Sequence, residues 1–219
     1  MNNKPRVKIC CIASAEEARL AIDYGASALG FVSEMPSGPG VVSETVIAEI
    51  VKTVPPAVAT FLLTSKTTAA EIILQQRRCH TNTVQLVDHV SSTVHEELRE
   101  TLYGIAIVQV IHVSDETVIE EAVEAAKYVD AILLDSGNPR LTVKELGGTG
   151  RVHDWRISKK IRESIDVPLF LAGGLKPENT MQAIAEVRPF GLDVCSGVRT
   201  NGKLDEKKLR MFFNEVNQA

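Results

Sequence analysis

The sequence predicts a (β/α)8 barrel, in which eight parallel strands each lead into a helix. Two hydrophobic periods alternate along the chain, because short β-branched runs are separated by amphipathic helical segments. Several runs are apolar throughout, which is typical of parallel strands covered on both faces. A doubly wound open sheet is the competing architecture. It more often has six strands and a glycine-rich turn after the first strand, where this chain has Cys11-Ile12-Ala13-Ser14.

The strands are predicted from short apolar runs that lie between turn residues. In chain order they are Val7–Cys11, Ala28–Val32, Ala57–Leu63, Thr83–Val87, Ile105–Ile111, Ala131–Leu134, Pro168–Leu171 and Leu192–Cys195. Eight units in 219 residues average about 27 residues each, close to the lower size limit of this barrel. No break in composition divides the chain, so we expect one domain over residues 1–219.

The helices are predicted from capping residues that precede amphipathic stripes. Ser14 and Glu17, for example, have the spacing of a capping box. The expected starts, in order, are Ser14, Ser43, Thr67, Ser92 or Thr93, Ser114, Asp154, Pro177 and Asp205. The connection from Leu134 to Asp154 is about twenty residues long, and a loop of this length in a compact domain is usually functional.

Composition excludes several classes of function. The chain is 44% hydrophobic and 24% charged with a net charge of -4, which argues against a nucleic-acid or anionic-membrane binder. No apolar run is long enough to cross a bilayer and the N-terminus lacks a signal-peptide pattern, so we expect a cytoplasmic protein. The five histidines show no metal-ligand spacing and are expected mainly on the surface or in loops, so no metal site is predicted.

The four cysteines form no Cys-x-x-Cys pair. Cys11 and Cys79 are interpreted as small buried hydrophobes. Cys10 and Cys11, as neighbours in a predicted strand, are expected to face opposite sides of it.

Glycine-containing turns follow each of the last three predicted strands. They are Gly147-Gly148-Thr149-Gly150, Ala172-Gly173-Gly174-Leu175 and Ser196-Gly197-Val198. Glycines let the backbone approach a ligand closely and present N–H groups to an anion. Because the loops after strands seven and eight commonly hold phosphate in such barrels, the turns predict a phosphorylated small-molecule ligand.

Two titratable side chains are predicted to reach the same mouth. Asp135 follows the sixth strand and is a candidate general acid if its pKa is raised. Cys10 lies near the end of the first strand, and Lys8 shares its face two residues earlier. Asp193, in the last strand, is expected to be a buried partner of Lys8, since the first and last strands are neighbours in a closed barrel.

These motifs together resemble the phosphoribosylanthranilate isomerase family nearly end to end. The resemblance rests on Val7-Lys8-Ile9-Cys10, Ile132-Leu133-Leu134-Asp135-Ser136 and the three glycine turns in this order. It implies a (β/α)8 fold, no cofactor, and an Amadori rearrangement of a phosphorylated aminoaldose in tryptophan biosynthesis. By the same resemblance, Cys10 is the general base at sugar C2 and Asp135 the general acid that opens the ring. The implied phosphate-binding residues are Gly148, Gly150, Gly173, Gly174, Ser196 and Gly197.

The chain departs from the family pattern where the rest of the substrate would bind. The family has glycine where this chain has Cys11, arginine where it has Gly40, and histidine where it has Val87. Loss of a charge-assisted contact to the anthranilate carboxylate should weaken binding by roughly a few kcal/mol unless another group replaces it. Arg140, in the long loop, is a candidate replacement.

Three functions therefore stay open. The first is the family's isomerase reaction, and the second is a divergent paralogue that acts on a different phosphorylated aminoaldose. The third is a non-catalytic sugar-phosphate-binding barrel, against which the retained Cys10 and Asp135 argue. The expected partner in each case is a small phosphorylated sugar, and the sequence leaves a homodimer open.

Overall fold

The computed structural model describes residues 4–138 and 141–219, and the chain forms a closed barrel in which strand order follows chain order. The parallel strands are β1 (Arg6–Ile9), β2 (Ala28–Val32), β3 (Ala59–Thr64), β4 (Thr83–Leu86), β5 (Ala106–His112), β6 (Ala131–Asp135), β7 (Leu169–Leu171) and β8 (Gly191–Val194). β1 pairs with β8 and closes the ring, so the predicted (β/α)8 fold is confirmed.

Helices connect the strands and cover the outside of the barrel. They are α1 (Ala15–Asp23), α2 (Glu44–Val51), α3 (Ala69–Cys79), α4 (Ser92–Thr101), α5 (Val118–Ala125), α6 (Trp155–Ser164), α7 (Pro177–Val187) and α8 (Glu206–Gln218). After β8 the chain makes a 3-10 turn (Ser196–Val198) and a short antiparallel pair, β9 (Arg199–Thr200) and β10 (Lys203–Leu204).

Apolar side chains are buried on both faces of the strands. Outward residues such as Leu29 and Leu62 pack beneath the helices. Inward residues fill the barrel, where Phe61 and Phe170 meet edge to face at 5.9 Å between ring centroids. Burial on both faces explains why the strand sequences read as continuous apolar runs rather than as alternating ones.

Capping side chains set most of the helix starts where the sequence predicts them. Ser14, Ser43, Asp154 and Asp205 accept hydrogen bonds from the first turns of α1, α2, α6 and α8, and Pro177 begins α7. The other expected starts are wrong by one or more residues, since the observed caps are Thr68, Ser91 and Thr117. At α5 the carboxylate of Asp115 accepts from the N–H of Thr117, and this turn delays the helix beyond Ser114.

The first strand ends two residues earlier than predicted. β1 stops at Ile9, and Cys11 adopts a left-handed conformation with φ 64°. The expectation that Cys10 and Cys11 face opposite sides of a strand is therefore wrong, and both line the same cavity. Period-two alternation requires extended backbone, and it fails where the chain turns out of the sheet.

Two histidines that the sequence placed on the surface or in loops are buried. His95 lies on the buried face of α4 with Nε2 3.1 Å from Oε1 of Gln109, and His112 lies at the end of β5 with Nε2 2.9 Å from the carbonyl of Val87. Across residues 4–138 and 141–219, no helix has the length and apolar character needed to span a bilayer.

Candidate active site at the mouth of the barrel

One cavity opens at the carboxyl ends of the strands. Cys10 reaches it from the end of β1, Asp135 from the end of β6 and Asp193 from β8. Parallel strands present all their carboxyl ends on one side, so residues distant in sequence meet there. The barrel thus brings the sequence-predicted acid and base candidates to the same space.

Lys8 and Asp193 form an ion pair across the closure of the barrel. They lie opposite each other in the β1–β8 register, with Lys8 Nζ 2.8 Å from Asp193 Oδ2. Burial alone would lower the pKa of Lys8, but the charge and hydrogen bond of Asp193 together with the nearby Cys10 and Cys11 outweigh burial, so the pKa is raised. Lys8 is therefore a fixed positive charge, and its ammonium also lies 5.2 Å from the ring centroid of Phe61. The predicted pairing of Lys8 with Asp193 is present.

Gly30 leaves the space in which Lys8 and Cys10 approach each other. A methyl group built on Gly30 would lie 2.9 Å from the sulfur of Cys10 and 3.0 Å from the nitrogen of Lys8. The thiol and the ammonium consequently occupy adjacent positions above β2. A fixed ammonium at this point stabilises negative charge that develops on neighbouring groups.

Asp135 is held at the cavity wall in a form suited to donate a proton. Its Oδ1 accepts the N–H of Ser136 at 2.7 Å. Burial raises the pKa of Asp135, and the hydrogen bond from Ser136 and the nearby His112 offset only part of this effect. Gly147 leaves room for the carboxylate, because a methyl group there would lie 2.5 Å from Oδ2.

Hydrogen bonds and an ion pair hold the long loop between β6 and α6 at the mouth of the barrel. The hydroxyl of Ser37 donates to the carbonyl of Lys144 at 2.7 Å, and the Lys144 ammonium pairs with Asp88 after β4. The hydroxyls of Ser136 and Thr149 lie 2.8 Å apart. The functional position predicted for this loop agrees with its place beside Asp135.

The glycine turns converge on the side of the cavity near β7 and β8. Gly148, Gly150, Gly173, Gly174 and Ser196 line the cavity. Gly197 lies instead in an adjoining groove, which shares three of those five residues with the cavity. The six sequence-predicted phosphate residues therefore surround one connected space.

Gly174 and Gly197 have a packing role as well. A methyl group on Gly174 would lie 2.7 Å from the backbone carbon of Arg151, and one on Gly197 would collide with the carbonyl of Leu175. Two loops thus approach each other more closely than any other residue type allows. His153 packs against the neighbouring turn, since a methyl group on Gly173 would lie 3.0 Å from its Nδ1. Burial lowers the pKa of His153 to about 4, so its side chain is neutral at pH 7.

Arg199 is a site residue that sequence reasoning missed. Its guanidinium is buried, donates to the carbonyls of Cys10 at 3.1 Å and Cys11 at 2.7 Å, and pairs with Glu17 at 2.8 Å. Arg199 therefore fixes the backbone that carries the thiol of Cys10. Its place directly after the Ser196–Val198 turn was the only sequence signal, and an arginine in that position would be read as exposed.

Cys11 and Gly40 occupy complementary space. A methyl group on Gly40 would lie 2.6 Å from Cβ of Cys11, and Gly40 itself has φ 79°. An arginine at position 40 could not be accommodated while Cys11 keeps its side chain. The replacement expected from Arg140 falls outside the described residues.

The opposite wall of the cavity is apolar. Val32 and Met35 at the end of β2 and Val87 after β4 line it together with Leu146 of the long loop. An aromatic ring would be covered here by aliphatic side chains. Within the described ranges, no group of three or more His, Cys, Asp and Glu residues is arranged to hold a metal ion.

Comparisons with known proteins agree with this geometry. The family model for N-(5'-phosphoribosyl)anthranilate (PRA) isomerase matches residues 7–215. The chain belongs to the PRA isomerase family. A PRA isomerase of Methanosarcina acetivorans is 36% identical, with 97% of this chain and 93% of that protein aligned.

Solved PRA isomerases share the fold over their whole length. One, in complex with reduced 1-(o-carboxyphenylamino)-1-deoxyribulose 5-phosphate, has a TM-score of 0.79 at 30% identity and covers 98% of this chain and 100% of its own. Another, described as monomers of the dimeric PRA isomerase of Thermotoga maritima, has a TM-score of 0.80 at 29% identity, with the same coverage. The resemblance drawn from the motifs is confirmed.

Proposed function

We propose that the chain catalyses the conversion of N-(5'-phosphoribosyl)anthranilate to 1-(2-carboxyphenylamino)-1-deoxyribulose 5-phosphate in tryptophan biosynthesis. The observation that carries the proposal is the presence of Cys10 and Asp135 on one cavity at the mouth of a PRA isomerase barrel. Phosphate binding alone requires neither a thiol nor a buried carboxyl group, so these residues favour an enzyme over a binding protein.

Asp135 is the general acid in this proposal. In its protonated form it donates to the ring oxygen of the ribose, and the C1–O bond breaks as the anilino nitrogen supplies electrons to form a C=N bond. Burial supports this role because it raises the pKa of Asp135 and keeps the proton available closer to neutral pH.

Cys10 is the general base. Its thiolate removes the proton from C2 of the opened sugar, and the electron pair moves into the C1–C2 bond to give an enolamine. Proton transfer to C1 and loss of the enol proton then give the ketose, so the isomerisation is redox-neutral overall. The fixed charge of Lys8 beside Cys10 supports the negative charge that this step moves.

The substrate phosphate is assigned to the glycine side of the cavity. Gly148, Gly150, Gly173, Gly174, Ser196 and Gly197 surround it, and backbone N–H groups in such turns are suited to phosphate oxygens. The anthranilate ring then lies against the apolar wall formed by Val32, Met35, Val87 and Leu146.

A second candidate function is the same rearrangement with a different N-substituent. It is favoured by one observation, the close approach of Cys11 to Gly40, which excludes an arginine from the position where the family binds the carboxylate. A substrate without that carboxylate would lose no binding free energy from the absence of an arginine at position 40.

The test measures turnover of two substrates, PRA and the analogous phosphoribosyl aniline that lacks the carboxylate. We expect PRA fluorescence to disappear with wild-type protein and to persist with Cys10→Ala and Asp135→Asn. If only the aniline analogue reacts, the second function replaces the first. If neither reacts faster with wild type than with the variants, both enzyme functions are excluded.

We also propose a homodimer. Support comes from the dimeric Thermotoga maritima relative, to which this chain is similar over its whole length. Light scattering after gel filtration tests the proposal, with a mass near twice 23.9 kDa expected and a single-chain mass against it.

A cytoplasmic location is proposed on the same functional grounds. Phosphorylated sugar intermediates are made and consumed inside the cell, so the enzyme has to share that compartment with its substrate. Fractionation of the source cells followed by detection with an antibody tests this, and recovery in an exported fraction would contradict it.

A further inference from the structure

The carboxylate of Glu17 joins three segments of the chain at the mouth of the barrel. Its spacing from Ser14 predicts a capping box, but the carboxylate accepts the N–H of Ala13 at 3.1 Å, one residue before the cap. It also accepts the N–H of Leu204 in β10 at 2.9 Å and pairs with the guanidinium of Arg199 in β9 at 2.8 Å. The proposed reaction gives Glu17 no part, so this convergence needs its own explanation.

Glu17 is ionised at neutral pH. Burial would raise the pKa of its carboxyl group, but the hydrogen bonds and charge of Arg199 and the N–H groups of Leu204 and Ala13 outweigh burial, so the pKa is lowered. The Arg199 side chain is only 7% exposed. A buried guanidinium whose carboxylate partner is removed is left with an uncompensated charge, so each member of the pair depends on the other.

Arg199 connects Glu17 to the residue that carries the proposed base. One of its terminal nitrogens donates to the carbonyls of Cys10 at 3.1 Å and Cys11 at 2.7 Å, and both terminal nitrogens reach the carboxylate of Glu17. Cys11 has φ 64°, a backbone conformation that a side chain disfavours and that persists only where neighbouring contacts hold it. The turn after β1 therefore depends on a guanidinium that is itself held in place.

The same arginine is joined directly to the turn assigned to the substrate phosphate. Arg199 follows the Ser196–Val198 turn in the chain. The N–H of Asp205 donates to the carbonyl of Val198 at 2.9 Å, and the ammonium of Lys208 donates to the carbonyl of Arg199 at 2.7 Å. The turn and the β9–β10 hairpin thus form one hydrogen-bonded unit, and a shift of the hairpin would move the phosphate turn and the arginine together.

We propose that Glu17 is a positioning residue for the isomerisation, because through Arg199 it keeps the Cys10 thiol at a fixed separation from the turn that binds the substrate phosphate. The proposal rests on the proposed function, in which Cys10 is the base. The proton that Cys10 removes is on C2 of the sugar and the phosphate is on C5, so one short carbon chain has to meet both at once. A misplacement near 1 Å lowers such a rate by about 100-fold.

Glu17→Gln tests the proposal in steady-state kinetics with PRA. The amide keeps the length of the side chain but presents no charge to Arg199. We expect kcat to fall at least about 10-fold while KM stays within about 3-fold of wild type, because the phosphate turn is still present whereas the thiol is displaced. Circular dichroism and thermal unfolding check that the variant is folded.

Asp130→Asn is the matched control. Asp130 also pairs with an arginine, Arg99 at 2.9 Å, and also accepts a backbone N–H, that of Ile107 at 2.7 Å. Arg99 likewise donates to a backbone carbonyl, that of Tyr128 at 3.0 Å. This pair lies at the amino end of β6, at the opposite end of the barrel from Cys10. We expect the control to lose stability and to keep the wild-type kcat.

Arg199→Lys is the second variant and breaks the same link from the other side. Lysine keeps a positive charge opposite Glu17, but a single ammonium does not reproduce the fork that reaches a carboxylate and two carbonyls. We expect a loss of kcat of at least about 10-fold with KM again within about 3-fold. A loss in both variants assigns the effect to the ion pair rather than to one side chain.

Amide hydrogen exchange of the folded proteins gives a readout that does not depend on turnover. The N–H of Cys10 donates to the carbonyl of Val194 at 2.9 Å, so its exchange reports opening of the turn after β1. We expect the peptide that covers residues 10–13 to exchange at least about 10-fold faster in Glu17→Gln than in wild type. In Asp130→Asn the same peptide should exchange at the wild-type rate.

Three kinetic results would overturn the proposal. They are the wild-type kcat in Glu17→Gln, equal losses of kcat in Glu17→Gln and Asp130→Asn, and a rise in KM without a loss of kcat. Failure of the isomerase function is separable, because wild-type protein then does not turn over PRA while exchange at residues 10–13 is still faster in Glu17→Gln. Turnover by wild type with unchanged exchange in Glu17→Gln would overturn the positioning role alone.

Discussion

Asp135 illustrates how a single buried carboxyl group serves catalysis at a cost to stability. Burial raises its pKa, so the fold favours the protonated form. The contribution of Asp135 to the free energy of unfolding is fully present below the ordinary pKa of an aspartate. It is lost as pH rises through the raised pKa of the folded state. At neutral pH the ionised carboxylate therefore destabilises the folded state.

Asp135→Asn is expected to stabilise the protein at pH 7 by about 1 kcal/mol, the size typical of stabilising substitutions at functional sites, while it removes turnover. The gain should shrink as pH falls toward the ordinary pKa of an aspartate, because protonation of the wild-type carboxyl removes the penalty that the substitution relieves. Urea denaturation at pH 7 and at about pH 4 measures it. Asp166→Asn, at an exposed position, is the control and should change stability by less than about 0.5 kcal/mol. Equal stabilisation at both pH values would contradict the pKa argument.

Cys11 and Gly40 are expected to be energetically coupled. Gly40→Arg alone should destabilise the protein because its Cβ would lie 2.6 Å from Cβ of Cys11. In the Cys11→Gly background that contact disappears, so the same substitution should cost about 1–2 kcal/mol less. The double variant should also bind PRA more tightly, because the added guanidinium can pair with the carboxylate. Urea denaturation of the four proteins and KM measurements test both effects.

Gly38→Arg supplies the matched control for this cycle. Gly38 also has a positive φ, 104°, but a methyl group there meets only the carbonyl of Gly147 at 3.7 Å. Its cost should therefore be the same with and without Cys11→Gly. A coupling for Gly40→Arg within about 0.5 kcal/mol of zero would show that the two positions are independent.

Among the elements, the long loop between β6 and α6 sets the position of the acid. Gly147 has φ 124° and lies where a side chain would meet Oδ2 of Asp135 at 2.5 Å. Gly147→Ala should displace the carboxylate and lower kcat by about 100-fold, since a misplacement near 1 Å has effects of that size. Gly104→Ala is the control, because Gly104 has φ 80° with no neighbour within 4 Å of the added methyl.

Gly104→Ala should lose about 1 kcal/mol, because it forces an alanine into a left-handed conformation, and Gly147→Ala should lose at least as much, because its methyl group also meets Asp135. Only Gly147→Ala should lose activity. Steady-state kinetics with matched thermal unfolding separates the two effects. Equal kcat values for the two variants would show that the loop does not position Asp135.

At the scale of elements, sequence patterns predicted most local features, and they failed where a distant contact or a competing cap decides the structure. Ser14, Ser43, Asp154 and Asp205 mark helix starts because a cap acts on its own helix. The end of β1 could not be predicted, because Arg199, about 190 residues away, holds the turned backbone of Cys10 and Cys11. The start of α5 was missed because the Asp115 turn competes with Ser114 for the same residues.

For the whole molecule, the ion pair between Lys8 and Asp193 joins the first strand to the last. Asp193→Asn should lower the free energy of unfolding by about 3 kcal/mol, since it leaves a buried ammonium without its partner. Glu49→Gln breaks the exposed pair with Lys52 and should cost less than about 0.5 kcal/mol. Urea denaturation measures the free energy of unfolding of both variants. Equal losses would show that the buried pair does not stabilise the closed barrel.

The barrel as a whole was predictable because its strands are buried on both faces and most of its connections are short. The candidate site was predictable in outline for the same reason, since strand ends must meet at one mouth. The role of Arg199 and the Cys11–Gly40 exclusion were not, because each depends on side-chain positions that no sequence period fixes.

The most direct test of the account compares wild type, Cys10→Ser and Asp135→Asn in PRA turnover and in titration with reduced 1-(o-carboxyphenylamino)-1-deoxyribulose 5-phosphate. We predict that all three bind the analogue, that wild type turns over PRA, and that each variant is at least about 100-fold slower. Wild-type protein that binds the analogue without turnover, or a variant that keeps wild-type turnover, would contradict the assignment of Cys10 and Asp135 as base and acid.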